Sequence, residues 1–154
     1  MLSRTVDTNA YVSVLKELVE EGKEVQLLIA GNSMAPFLIH QRDYIYFEKP
    51  RKKLCKGDMV FYQRNSGQYI MHRIYKIDEE GYYMMGDAQL VMEGPLKAEQ
   101  IFAVVTKVKR KGKWIGPENF WWKFFAHAWM EVFLLRRIVL KMYSVFTRKG
   151  RIDV

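Results

Sequence analysis

The chain has 154 residues, 49% of them hydrophobic and 27% charged, with a formal net charge of +8. That length is one domain's worth. The charge content excludes a multi-span membrane protein, and abundant aromatics without long polar tracts exclude intrinsic disorder. A basic balance admits nucleic acid, anionic lipid or an acidic substrate without choosing among them. Cys55 is the single cysteine, so neither an intrachain disulfide nor a multi-cysteine metal site can form, and no metal or cofactor is expected. It reads as a reduced thiol in a loop or strand edge, in keeping with a reducing compartment. Met1 to Asp7 lack the apolar centre of a secretory signal. No uncharged run approaches the ~20 residues that span a bilayer.

Three sections follow in chain order. Residues 1–24 hold a short helix: Asp7 or Thr8 can cap it, Tyr11, Val14, Leu15, Leu18 and Val19 recur at helical spacing, and Gly22 ends it. Residues 25–115 read as strands at Val25–Ile29, Asp43–Phe47, Met59–Tyr62, Tyr69–Ile77, Tyr82–Met85, Ile101–Val108 and Lys113–Ile115. Short strands joined by glycine-containing turns predict a mainly β domain, a small antiparallel barrel or coiled sheet. Residues 116–154 read as one basic amphipathic helix starting near Pro117. Its charges fall along a narrow stripe and its apolar face is wide. At ~30 residues it would run ~45 Å.

Within the strand section, Ser33 follows an apolar strand at a break made by Gly31, with Pro36 stiffening the exit. Such a junction fixes a hydroxyl while leaving backbone N–H groups free to stabilise an oxyanion. A serine after a glycine in a turn is ordinarily just a turn. Serine attack also needs a proton acceptor, and the chain offers His40, His72 and His127. His40 lies in a polar connection and His127 in the C-terminal helix. His72 alone sits on a strand, which would give its ring a fixed direction. Asp87, after Gly86 at a strand end, could hold the other ring nitrogen; Gly57-Asp58 has the same look and reads as a turn.

Together these segments resemble the signal peptidase I and LexA-like serine peptidase group. Gly31-Asn32-Ser33-Met34-Ala35-Pro36 is similar to its nucleophile motif, Gly57-Asp58-Met59-Val60 to a structural strand start, Met71-His72-Arg73-Ile74 to the segment of the general base, and Gly86-Asp87 to a late Gly-Asp motif. The four occur in family order over about Val25 to Trp114. The resemblance implies coiled antiparallel sheets and endopeptidase chemistry in which Ser33 is the nucleophile and His72 the general base, as in the family's Ser/His branch. It implies an oxyanion site from the Ser33 amide beside Gly31, substrate binding at Met34 and Pro36, and preference for small residues before the cut. The chain departs from the family in four places. The usual anchor before the serine is not expected here, Ala88 replaces an asparagine, Arg42 replaces a glycine before Asp43, and the second acidic motif is missing, with Glu93 the candidate to stand in for it.

The expected function is therefore cleavage of a leader or signal sequence from a peptide or secreted protein. The C-terminal helix has two readings. It lies peripherally on an anionic membrane, with Arg136, Arg137, Lys141, Arg148, Lys149 and Arg151 meeting lipid, or it packs on a partner chain or its own domain. The alternative function is a non-catalytic lipid- or nucleic-acid-binding module on the same β fold. Its basic cluster would be Lys107, Lys109, Arg110, Lys111 and Lys113 near Trp114. No nucleic-acid motif accompanies that cluster, and no nucleic-acid partner is expected.

Overall fold

The computed structural model describes residues 8–149, which leaves the expected Asp7 cap and Arg151 outside the described residues. Helix α1 spans Thr8–Glu20. It buries Val12, Leu15 and Val19 against the sheet, while Tyr11 and Val14 are exposed, so its core face is rotated from the predicted one. Its end is a Schellman turn: Gly22 (φ +86°) donates to the Val19 carbonyl and Lys23 to the Leu18 carbonyl, a geometry that favours glycine at that position.

The strands are β1 (Val25–Leu28), β2 (Tyr44–Glu48), β3 (Met59–Gln63), β4 (Tyr69–Asp78), β5 (Gly81–Met85), β6 (Glu93–Leu96), β7 (Ile101–Arg110) and β8 (Lys113–Ile115). They form one antiparallel eight-stranded sheet in the order β1-β2-β7-β3-β4-β5-β6, with β8 on β7. The main core packs Met34, Phe37, Ile45, Phe47, Phe61, Val105 and Val108 with α1, and a second cluster joins Val60, Tyr62, Ile74 and Met84. The fold is thus mainly β with helices at both ends, as expected. Strand β6 was not expected, because Gly94 and Pro95 lie inside it and both residues are depleted in strands.

The C-terminal section is not one helix. Asn119 caps α2 (Phe120–Lys123) by accepting from the Trp121 and Trp122 amides. A π turn at Phe124–Ala128 and α3 (Trp129–Glu131) continue it. Val132 (φ −111°, ψ 68°) breaks the run before α4 (Phe133–Lys149). The cause is tertiary. The Met130 carbonyl accepts from the Tyr75 hydroxyl, and the Trp129 carbonyl accepts from Arg136 at 3.2 Å. Acceptors that a continuing helix would use are taken by side chains, one from β4 and one from α4. The first half buries Phe125, Ala126, Trp129 and Met130. It passes so close to the turn before β3 that a Cβ on Gly57 would meet the Ala126 carbonyl at 2.6 Å. Arg136, expected at the lipid, is instead buried against the Gln89 and Trp129 carbonyls and the Trp129 ring. No described helix is long and apolar enough to cross a membrane.

Candidate active site

Ser33 lies in the turn after β1, half-buried. Gly31 there has φ +92°, a value a side-chain-bearing residue rarely adopts. Met34, Phe37 and Leu38 plug the core beneath the turn, and the Leu38 amide donates to the Met34 carbonyl at 2.9 Å. Buried Asp43 ties the loop down. It accepts from the Ile39 and Lys111 amides and from both arms of Arg42. Burial opposes its ionisation, but these donors hold its pKa below the usual carboxylate range. Arg42, a departure from the family pattern, therefore has a structural task here.

His72 comes from β4, opposite Val60 of β3, and is 4% exposed. Ser33 and His72 line one cavity of about 180 Å³, whose wall is otherwise mostly apolar, with Ile29, Met34, Phe61 and Met71 among its residues and Tyr69 beside them. Gly86 sits between them. A Cβ there would lie 2.4 Å from the Ser33 carbonyl oxygen and 3.2 Å from His72 Cδ2. Two residues on, the Ala88 amide donates to that same Ser33 carbonyl at 2.8 Å. The Gly86–Ala88 turn thus locks the serine loop beside the imidazole, and only glycine fits at its first position. Among the described residues no hydrogen bond joins Ser33 to His72.

The far edge of the imidazole meets a polar chain. His72 Nδ1 lies 3.2 Å from the Tyr62 hydroxyl, which donates to Glu93 Oε2 at 2.7 Å. Arg64 clamps Glu93 with two bonds, Nε to Oε1 at 2.6 Å and Nη2 to Oε2 at 2.9 Å. Desolvation lowers the His72 pKa to about 4, with Glu93 pulling it up and Arg64 pushing it down. Burial raises the Tyr62 pKa, and Glu93 raises it further, so the phenol stays protonated. Burial opposes ionisation of Glu93, yet the bonds from Arg64 and Tyr62 hold its pKa below the ordinary value. At neutral pH the site therefore holds a neutral imidazole, a neutral phenol and a carboxylate.

Several expectations need correction. Asp87 does not reach His72. Its two oxygens accept from Arg73 Nε and Nη2 at 2.9 and 2.8 Å, and both side chains are 1% exposed. Gly86 lies against the imidazole, and Asp87, in the turn that follows β5, sends its side chain to Arg73 instead. The Gly31 amide is not an oxyanion donor, because it donates to His40 Nδ1 at 2.7 Å. The Ser33 amide, by contrast, has no partner among the described residues. Met34 lines the cavity but Pro36 does not. Asp58 is confined to a turn as expected, accepting from the Cys55 amide. Sequence reasoning passed over Tyr62, Arg64 and Arg73. Strand alternation alone could have placed Tyr62 on the face of Val60, which is paired to His72.

A sequence model of the Peptidase S24-like family matches residues 3–108, a span holding Ser33, His72 and Glu93. The chain belongs to that family. No curated protein and no solved structure matches it. The family assignment makes this a serine-peptidase-type fold, in agreement with the β architecture, and it includes members without catalysis.

Proposed function

We propose that this Peptidase S24-like protein is a serine endopeptidase of the signal-peptidase type that removes a leader or signal sequence by cutting after small residues. Ser33 acts as nucleophile and His72 as general base. The observation that carries the reading is the shared cavity: a turn-mounted hydroxyl and a strand-mounted, neutral imidazole border one small apolar space. Ser33 Oγ attacks the scissile carbonyl as His72 takes its proton. The imidazolium then protonates the leaving amine, and water, deprotonated by the same ring, releases the acyl-enzyme. The unpartnered Ser33 amide is the available oxyanion donor. The preference for a small residue before the cut is carried by the family resemblance alone.

Ser33→Ala and His72→Ala should each abolish cleavage of a leader peptide with a small residue before the cut, with folded circular-dichroism spectra retained. Continued cleavage by both variants would sink the assignment. The missing Ser33–His72 hydrogen bond favours one other reading, a non-catalytic module on the same fold. Failure of an active-serine probe to label Ser33 would decide for it. Apo sites often tighten only with substrate.

Membrane attachment belongs to the same proposal. On α4, Leu135, Ile138, Met142, Val145 and Phe146 are exposed at spacings that share one helix face. Phe120, 69% exposed, and Trp121, 49% exposed, add aromatic surface. Arg137, Lys141 and Lys123, all on the surface, supply the cations for an anionic bilayer. The Arg148 and Lys149 side chains are outside the described residues.

A further inference from the structure

We propose that Glu93, acting through the Tyr62 hydroxyl, holds His72 as its Nδ1–H tautomer, so that Nε2 is the proton acceptor on the Ser33 side. Tyr62 and Glu93 are then positioning residues, and they take the place the sequence pattern would give to Asp87. The role in catalysis rests on the peptidase reading; the tautomer does not.

The argument is a proton count. A phenol has one hydrogen to give. Tyr62 gives it to Glu93, because a bond at 2.7 Å to a carboxylate is charge-assisted and outcompetes a neutral ring nitrogen at 3.2 Å. The phenol oxygen is thereby left as an acceptor toward His72. Nδ1, facing an acceptor, must carry the ring proton. Nε2 is then unprotonated, and it adjoins Cδ2, the ring atom nearest the Gly86 turn that grips the Ser33 carbonyl. Arg64 prevents the reverse arrangement. Its two bonds keep Glu93 ionised and fixed in place, so the carboxylate remains the better acceptor for the Tyr62 hydrogen. When His72 takes up the Ser33 proton, the carboxylate two bonds away also offsets the new charge. Tyr62 is fully buried on β3, on the His72 face of the β3–β4 pair, so the relay is held by rigid strands. Glu93 comes from β6, and the chain returns from β5 to bring it there.

The test is the nitrogen NMR signature of the His72 ring at neutral pH, assigned by its loss in His72→Gln. The native protein should show a protonated Nδ1 and a free Nε2. Tyr62→Phe, which removes only the hydroxyl, should populate the Nε2–H form. In the cleavage assay the same variant should lower kcat by at least ~10-fold, toward the ~10⁴-fold cost of a wholly wrong tautomer, with KM little changed. Glu93→Gln should move both readouts the same way, and it decides the matter should Tyr62→Phe not fold. A native ring protonated at Nε2, or a tautomer indifferent to both variants, overturns the proposal. A correct tautomer in a protein that cleaves nothing leaves the relay standing and removes the peptidase reading instead.

Discussion

His72 and Arg73 are neighbours on β4, yet they belong to different machines. His72 faces Tyr62, Glu93 and the Ser33 cavity. Arg73 faces Asp87, the Gly57 carbonyl and the Phe37 ring. Each face ends on a carboxylate, but the two are put to different use. The Arg73–Asp87 pair is wholly buried, and Arg73 bonds two carboxylate oxygens and a carbonyl, which fixes both side chains. On the other face the carboxylate is half-buried and one hydroxyl removed from the ring, so it can bias a proton without quenching the base. One residue of strand alternation separates a structural ion pair from a proton relay.

The contrast can be broken from the structural side. Asp87→Ala should cost about 3–5 kcal/mol of stability, because it strands a buried guanidinium; chemical denaturation measures it. An orienting acid would instead leave stability nearly intact and cut only turnover, and that outcome would return Asp87 to the site. Gly86→Ala tests the junction between the faces. Its methyl must push back the Ser33 carbonyl, which sits 2.4 Å from the new atom, and displacements near 1 Å can cost on the order of 100-fold in rate. Turnover should fall by about that factor with the sheet intact.

The His72 face should also show itself in the pH dependence of stability. The folded pKa is about 4, below the unfolded value of 6.5, so the native state takes up this proton less readily than the unfolded chain. The contribution is whole above the unfolded pKa and is lost as pH falls from about 6.5 to about 4. Between pH 7 and pH 5 it amounts to roughly 1–2 kcal/mol. His72→Gln should flatten that slope in denaturation curves, whereas a slope unchanged by the substitution would mean that the ring is not desolvated. The smallest effect concerns α4. Neutralising Arg137→Gln and Lys141→Gln should weaken binding to anionic vesicles by about 1 kcal/mol each and leave cleavage of a soluble peptide unchanged. Equal vesicle binding by native and neutralised chains would remove the membrane from the proposal.

Much of this was legible in the sequence because it is local. Short apolar and aromatic runs marked all strands but β6, glycine turns marked the hairpins, and the order of Ser33, His72 and the Gly-Asp pairs carried the family resemblance that the match over residues 3–108 bears out. The C-terminal section shows the limit of periodicity. A pattern of apolar residues over thirty positions reads as one helix, but it says nothing of the Tyr75 and Arg136 donors that take its carbonyls and break it at Val132.

By itself the chain determined where seven of the eight strands form, that a serine would sit in a constrained turn and that a histidine would sit on a strand, since backbone propensity acts over a few residues. Which carboxylate serves that histidine was decided only in the folded molecule. Asp87 lies 15 positions from His72 and Glu93 lies 21, and neither spacing reveals which side chain the sheet turns toward the ring. That choice follows from strand register and the return of β6 beside β5, long-range pairings that the whole core must agree on at once.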